Sequence, residues 1–148
     1  MKFSAQRETL LRPLQAVAGV VERRQTMPIL ANFLLVARNG QLEITATDLE
    51  VELVANVALD VEGDGEVTVP GRKLLDICRA LPDGATVNVS TKGERLLVQS
   101  GRSRFTLSTL AASDFPSIDD IQAKQSLKVS QGAFKRLLDK THFAMAHQ

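Results

Sequence analysis

The chain has 148 residues, of which 44% are hydrophobic and 24% charged, with a formal net charge of +1. That composition suits a globular protein with a core, and no apolar run approaches the roughly 18 residues of a membrane-crossing helix. The opening "MKFSAQRETLL" has no signal-peptide apolar core, the single Cys78 excludes an internal disulfide, and six Phe with no Trp or Tyr argue against single-strand stacking platforms; a cytoplasmic, non-membrane protein is expected.

The near-neutral total hides a segregation of charge. Residues 1–38 carry six basic and two acidic side chains, residues 39–71 eight acids and no base, and residues 72–104 seven bases and three acids. A molecule with one basic and one acidic face binds a polyanion in one direction only.

In chain order, "MKFSA" reads as a short strand. A helix follows from Arg7 to Glu22, with Pro13 expected to kink its first half. Three strands come next, "ILANFLLVAR", "QLEITAT" and "EVELVANVAL", with Asn39-Gly40 as a hairpin signal. The order then repeats. "GEVTVP" is a strand, "GRKLLDICRAL" a helix stopped by Pro82, and "TVNVST", "ERLLVQS" and "SRFTLSTL" are three strands, with Lys92-Gly93 at one turn. The first 110 or so residues thus read β-α-β-β-β twice, an α+β pattern. "AASDFPSIDD" is a polar linker containing a proline. After it "LKVS" at 127–130 echoes "MKFS" at 1–4, and at the same offset Leu137 falls on Leu11. This predicts the opening strand and helix of a second copy.

At about 100° per residue, the first helix gathers Leu10, Leu14, Val17, Ala18 and Val21 on one stripe, opposite Arg12, Gln15, Ala16, Gly19 and Arg23. The second gathers Leu74, Ile77, Cys78 and Leu81, opposite Arg72, Asp76 and Arg79. The third gathers Phe134, Leu137, Leu138 and Thr141, opposite Arg136, Asp139 and Lys140. Basic residues opposite an apolar stripe describe most surface helices. Three helices doing so while the strands between them carry the acid fits contact with phosphates, and no Asn or Gln is placed for reading bases.

Catalytic chemistry is not visible. His142 and His147 have no cysteine partner, Asp48, Glu50 and Glu52 alternate as solvated strand carboxylates, and Gly63-Asp64-Gly65 is a turn without a phosphate-loop lysine. Ser108 and Ser113 lack a His/Asp arrangement, and Cys78 falls on a core stripe. No cofactor and no metal are expected.

The stretch "SGRSRFTLSTLAASDFPS" alternates Arg102, Arg104, Thr106 and Ser108 against Ser103, Phe105, Leu107 and Thr109. On a central strand the arginines are a wet face; on a sheet edge the combination is a docking surface.

Taken together, "PILANFLL", "TATDLEVE", "VPGRKLLDICRALPDG", "GERLLVQSGRSRFTLSTLAASDFP" and "FAMAHQ" resemble the bacterial DNA polymerase III beta subunit family, the replicative sliding clamps. The resemblance runs the length of the chain. It implies a DNA-clamp fold with two β-α-β-β-β units per domain, helices lining the hole of a ring and sheets outside. Residues 1–119 would be a complete first domain and residues 120–148 a linker with the opening strand and helix of a truncated second. The implied function is non-catalytic: as a full-length head-to-tail homodimeric ring, the protein encircles double-stranded DNA, slides without sequence preference and tethers the polymerase. DNA polymerase III catalytic subunit and clamp loader would bind through domains absent here.

Carried over by position, the resemblance implies DNA contact by Arg24 and Arg72, and by Arg12 where the family has a lysine. His147 and Gln148 match the start of a DNA-meeting loop, and Arg79 and Arg136 join the set from their helix faces. It implies a ring joint at the "SRF-L" strand, with Lys73, Arg95, Arg102 and Arg104 facing acids across it and Phe105 and Leu107 in its apolar centre. By itself the chain is expected to be mainly monomeric. The alternative reading is an interaction module that reuses the clamp fold to bind protein only.

Overall fold

The computed structural model describes residues 1–21 and 27–116. Strand β1 (Lys2–Gln6) leads into helix α1 (Arg7–Ala18), and a 3₁₀ turn at Pro28–Ala31 opens β2 (Asn32–Arg38). Then come β3 (Gln41–Thr47), β4 (Glu52–Ala58), β5 (Asp60–Gly63) and β6 (Gly65–Pro70). Helix α2 (Gly71–Ala80), β7 (Thr86–Lys92), β8 (Arg95–Ser100) and β9 (Ser103–Ser108) complete the second unit, followed by a 3₁₀ turn at Ala112–Asp114.

The two units interlock. One sheet has the order β5-β1-β7-β8-β9 and the other β4-β3-β2-β6. The first strand of each unit therefore pairs in the sheet of the other: β1 antiparallel to β7, β6 antiparallel to β2. The alternation of the strands explains the layering. Phe33, Leu35 and Ala37 of β2, and Ile44 and Ala46 of β3, have no exposed surface. They share one core with Leu14 and Val17 of α1, Leu75 and Cys78 of α2, Val87 of β7 and Leu96 and Val98 of β8. Each such large side chain removed from water contributes about 1.5–3 kcal/mol before ordering costs. A small apolar cavity among Phe3, Leu14, Leu42 and Val89 lies inside it.

The two-residue turn Asn39-Gly40 has φ of 54° and 71°, the positive pair that joins tightly twisted antiparallel strands. Arg38 pairs with Gln41 directly across it.

Four expectations change. β5 is a ninth strand, added beside β1. The strand expected from Ile29 starts at Asn32, because Pro28 fixes its φ and opens a 3₁₀ turn in which Leu30 N–H donates to the Met27 carbonyl at 3.0 Å. The first helix ends at Ala18 rather than Glu22 and runs through a buried Pro13. The second helix buries Leu75 as well as the expected stripe. The linker beyond Pro116, the "LKVS" repeat and the third helix lie outside the described residues.

A smaller cluster of Ile29, Leu30 and Phe115, with Leu34 packed against it, forms a second hydrophobic group. Thr68 and Leu110 exchange backbone N–H···O bonds of 3.0 Å, and the Asn32 amide donates to Thr68 Oγ1 at 3.0 Å. The segment leaving β9 is thereby fixed to the free edge of β6.

Candidate functional site

The helices lie side by side, and Arg7 sets how they meet. Its Nε donates to the Cys78 carbonyl at 2.7 Å and its Nη2 to the Arg79 carbonyl at 3.2 Å. Those carbonyls are the orphan acceptors at the C-terminus of α2, where a cation is favoured. The first turn of α1 therefore meets the last turn of α2, and the helices run antiparallel. Arg7 Nη1 also reaches Asp83 at 3.0 Å and Glu8 at 3.5 Å, with the Arg7 side chain only 14% exposed. Glu8 accepts the Gly84 N–H at 2.7 Å; that bond, its own backbone N–H and Arg7 hold its carboxyl below the usual glutamate value. The sequence reading missed Arg7. Its signal was a base in the first turn of a helix, where the dipole favours acids: the arginine serves the other helix's end.

The antiparallel pair buries one face in the common core and turns the other outward. Arg12 on α1 and Arg72, Lys73 and Arg79 on α2 are all exposed. Arg79 pairs loosely with Asp76 at 3.8 Å; among the described residues no ion pair involves Arg12, Arg72 or Lys73. Arg24, Arg136, His147 and Gln148 lie outside the described residues.

Most of the acids sit on the strands and their turns. Asp60, Glu62, Asp64 and Glu66 are exposed along β5, β6 and their turn. Lys2 pairs with Glu62 at 3.4 Å and Arg38 with Glu66 at 3.6 Å. Asp48 Oδ1 accepts the N–H groups of Glu50 and Val51 at 2.9 and 2.8 Å, so this carboxylate shapes the β3–β4 turn. No group of three or more His, Cys, Asp or Glu among the described residues is arranged to hold a metal ion. Cys78 is buried, and desolvation pushes its thiol up to about 11 despite the nearby Arg7 charge.

β9 is a sheet edge, hydrogen-bonded only to β8 among the described strands. Arg95, Arg102 and Arg104 are exposed on this end of the sheet. Phe105 is half-buried against the core, whereas Leu107 is 6% exposed and belongs to the core itself. Leu107, expected in the joint beside Phe105, faces Leu96 across the ladder and also holds this end of the domain core.

Among the described residues no helix is long and apolar enough to cross a membrane. Two interlocked β-α-β-β-β units with paired helices against two sheets define a clamp-type α+β domain. Residues 1–119 match the DNA polymerase III beta subunit, N-terminal domain, and the chain belongs to that family. It is 54% identical to the beta sliding clamps of Pseudomonas aeruginosa and Escherichia coli K12, over all of this chain and 41% of each relative. It thus spans about two-fifths of the length of these curated relatives. A crystal structure of the P. aeruginosa sliding clamp bound to griselimycin superposes with a TM-score of 0.78 at 58% identity, covering 80% of this chain and 32% of that one. Caulobacter crescentus pol III beta gives 0.77 at 45% identity, covering 79% and 32%.

Proposed function

We propose that this chain is the N-terminal part of a bacterial replicative processivity factor: a non-catalytic ring that surrounds duplex DNA, slides on it and tethers the polymerase. Residues 1–119 form its first domain and residues 120–148 begin a second. Duplex DNA, a second copy in the ring, the polymerase and a clamp loader are the partners this reading implies. The observation that carries it is the exposed face of two adjoining antiparallel helices, where Arg12, Arg72, Lys73 and Arg79 outnumber the one acid Asp76, in a domain of this family. Arg12, Arg72 and Arg79 supply phosphate contacts from that face, with Arg24, Arg136, His147 and Gln148 carried over by resemblance. The β9 end, with Lys73, Arg95, Arg102, Arg104, Phe105 and Leu107, is the ring joint.

Such a surface attracts the phosphate backbone through charge and counterion release, without reading bases. The test is duplex binding by the 148-residue chain across salt and sequence. Weak binding that is equal for unrelated sequences, falls with salt and is lost on joint reversal of Arg12, Arg72 and Arg79 to Glu is expected. Tight binding to one sequence at physiological salt, or no response to the triple reversal, overturns the reading.

A further inference from the structure

We propose that residues 109–115 form a latch that releases from the second sheet as one unit while the rest of the domain stays folded, with Thr68 and Phe115 as its two catches. After β9 the chain leaves the five-stranded sheet and crosses to the four-stranded one. Thr109 N–H donates to the Glu94 carbonyl at 3.0 Å, at the open end of the β8–β9 hairpin. Leu110 then makes an isolated bridge to Thr68. A 3₁₀ turn at Ala112–Asp114 follows, and Phe115 enters the small cluster with Ile29 and Leu30.

The strap has little to hold it. Of its seven residues only Phe115 is buried; Leu110 is 45% exposed, and Ala111, Ser113 and Asp114 face water. The ring of Phe115 lies in a cluster apart from the main core. Ordering the strap costs backbone entropy at every residue, and one ring with one bridge offsets only part of it. Segments with few buried apolar contacts occupy the low-stability end of a domain's local openings.

Release strands no buried polar group. Thr68 Oγ1 accepts from the Asn32 amide at 3.0 Å and donates to the Leu110 carbonyl at 3.1 Å. With the strap away, the Asn32–Thr68 bond stays, and the Thr68 hydroxyl proton, N–H and carbonyl turn to water along the edge of β6. The pairing of β6 with β2, from Asn32 to Ala37, lies on the other side of β6 and is untouched. What opens is the socket of Ile29, Leu30 and Leu34, together with that edge. The two catches therefore set how often this corner of the domain is exposed, independently of the main core.

Native-state hydrogen exchange of the 148-residue chain, in low and rising urea, tests this. The N–H groups of Thr68 and Leu110, bonded across the bridge, and of Phe115, bonded to Ala112, are expected to share one opening reaction. It should depend weakly on urea and leave them about tenfold or more less protected than the amides of β2 and β3. Ile44→Val, a fully buried position two strands from β6 in the sheet order, should lower β2 and β3 protection roughly threefold to tenfold and leave those three amides unchanged. Phe115→Ala should lower Thr68 and Leu110 protection about tenfold or more, although its side chain makes none of their hydrogen bonds. Strap amides as protected as β2, equal losses at strap and core in Ile44→Val, or Thr68 and Leu110 amides that keep their protection in Phe115→Ala overturn the inference. Ile44→Val leaves every strap contact in place, so that comparison decides the matter even if Phe115→Ala does not fold.

Discussion

The Arg7 guanidinium lies 2.7 Å from the Cys78 carbonyl oxygen and binds the end of one helix to the start of the other. Hydrogen bonds to a charged group contribute about 1.5–3 kcal/mol, and here two carbonyls would lose their donor. Arg7→Met is therefore expected to lower stability by about 2–3 kcal/mol in urea titration, with the fold retained. Because the same bonds set the helix pair, duplex binding should weaken although Arg7 itself is turned inward. Unchanged stability would show that the pair is held by packing alone.

Gly71 opens α2 directly beneath a buried ring. A Cβ placed there would lie close enough to Phe33 to overlap its Cε1, Cδ1 and Cζ atoms, within 2.4 to 2.7 Å. Phe33 has no exposed surface and nowhere to move. Gly71→Ala should cost roughly 1–3 kcal/mol through overpacking, despite alanine's better helix propensity. Phe33→Leu should cost less in the Gly71→Ala background than alone, read from a double-mutant cycle.

Leu107 and Phe105 are neighbours in alternation but differ in what they hold. Leu107→Ala should destabilise the domain by about 2–5 kcal/mol, the cost of a core cavity. Phe105→Ala should cost the fold less. In a full-length ring carrying this domain it should raise the dimer dissociation constant about tenfold or more, since burying a Phe is worth roughly 1.5–3 kcal/mol. Thermal melting and sedimentation separate the two effects. A Phe105→Ala ring that dimerises normally would move the joint elsewhere.

These contrasts show what the sequence could and could not express. Strand alternation and the Asn39-Gly40 turn made the two-unit order readable, because period-two burial is written in every strand. β5 escaped because "DVEG" offers only Val61 to the core. Alternation placed Leu107 on an apolar face correctly, but not whether that face meets its own core or another chain. The helical period exposed Arg12, Arg72 and Arg79 from spacing alone. Arg7 announced itself only as a base in the first turn of a helix; its partners are backbone carbonyls about 70 residues away, which no side-chain pattern names.

Cys78 gives a pH signature. Its thiol, ordinarily near 9.0, is pushed up to about 11 by burial. Below pH 9 it is neutral in folded and unfolded chains alike. Between about 9 and 11 the unfolded chain loses a proton that the folded chain keeps, so stability should fall as pH rises through that window. Cys78→Ala should flatten this slope, and iodoacetamide at pH 8 should label the thiol only in denaturant. Rapid labelling of the native chain would place Cys78 at the surface.

The central claim is that this domain belongs in a ring held on DNA by topology. A chimera in which residues 1–119 replace the matching domain of the E. coli relative tests it most directly. Loaded onto a nicked circular plasmid, the chimera should stay bound through gel filtration in high salt and be released when the plasmid is linearised. Retention that does not depend on DNA ends, or failure to be held on the circle by a chimera that folds and dimerises, would contradict the account.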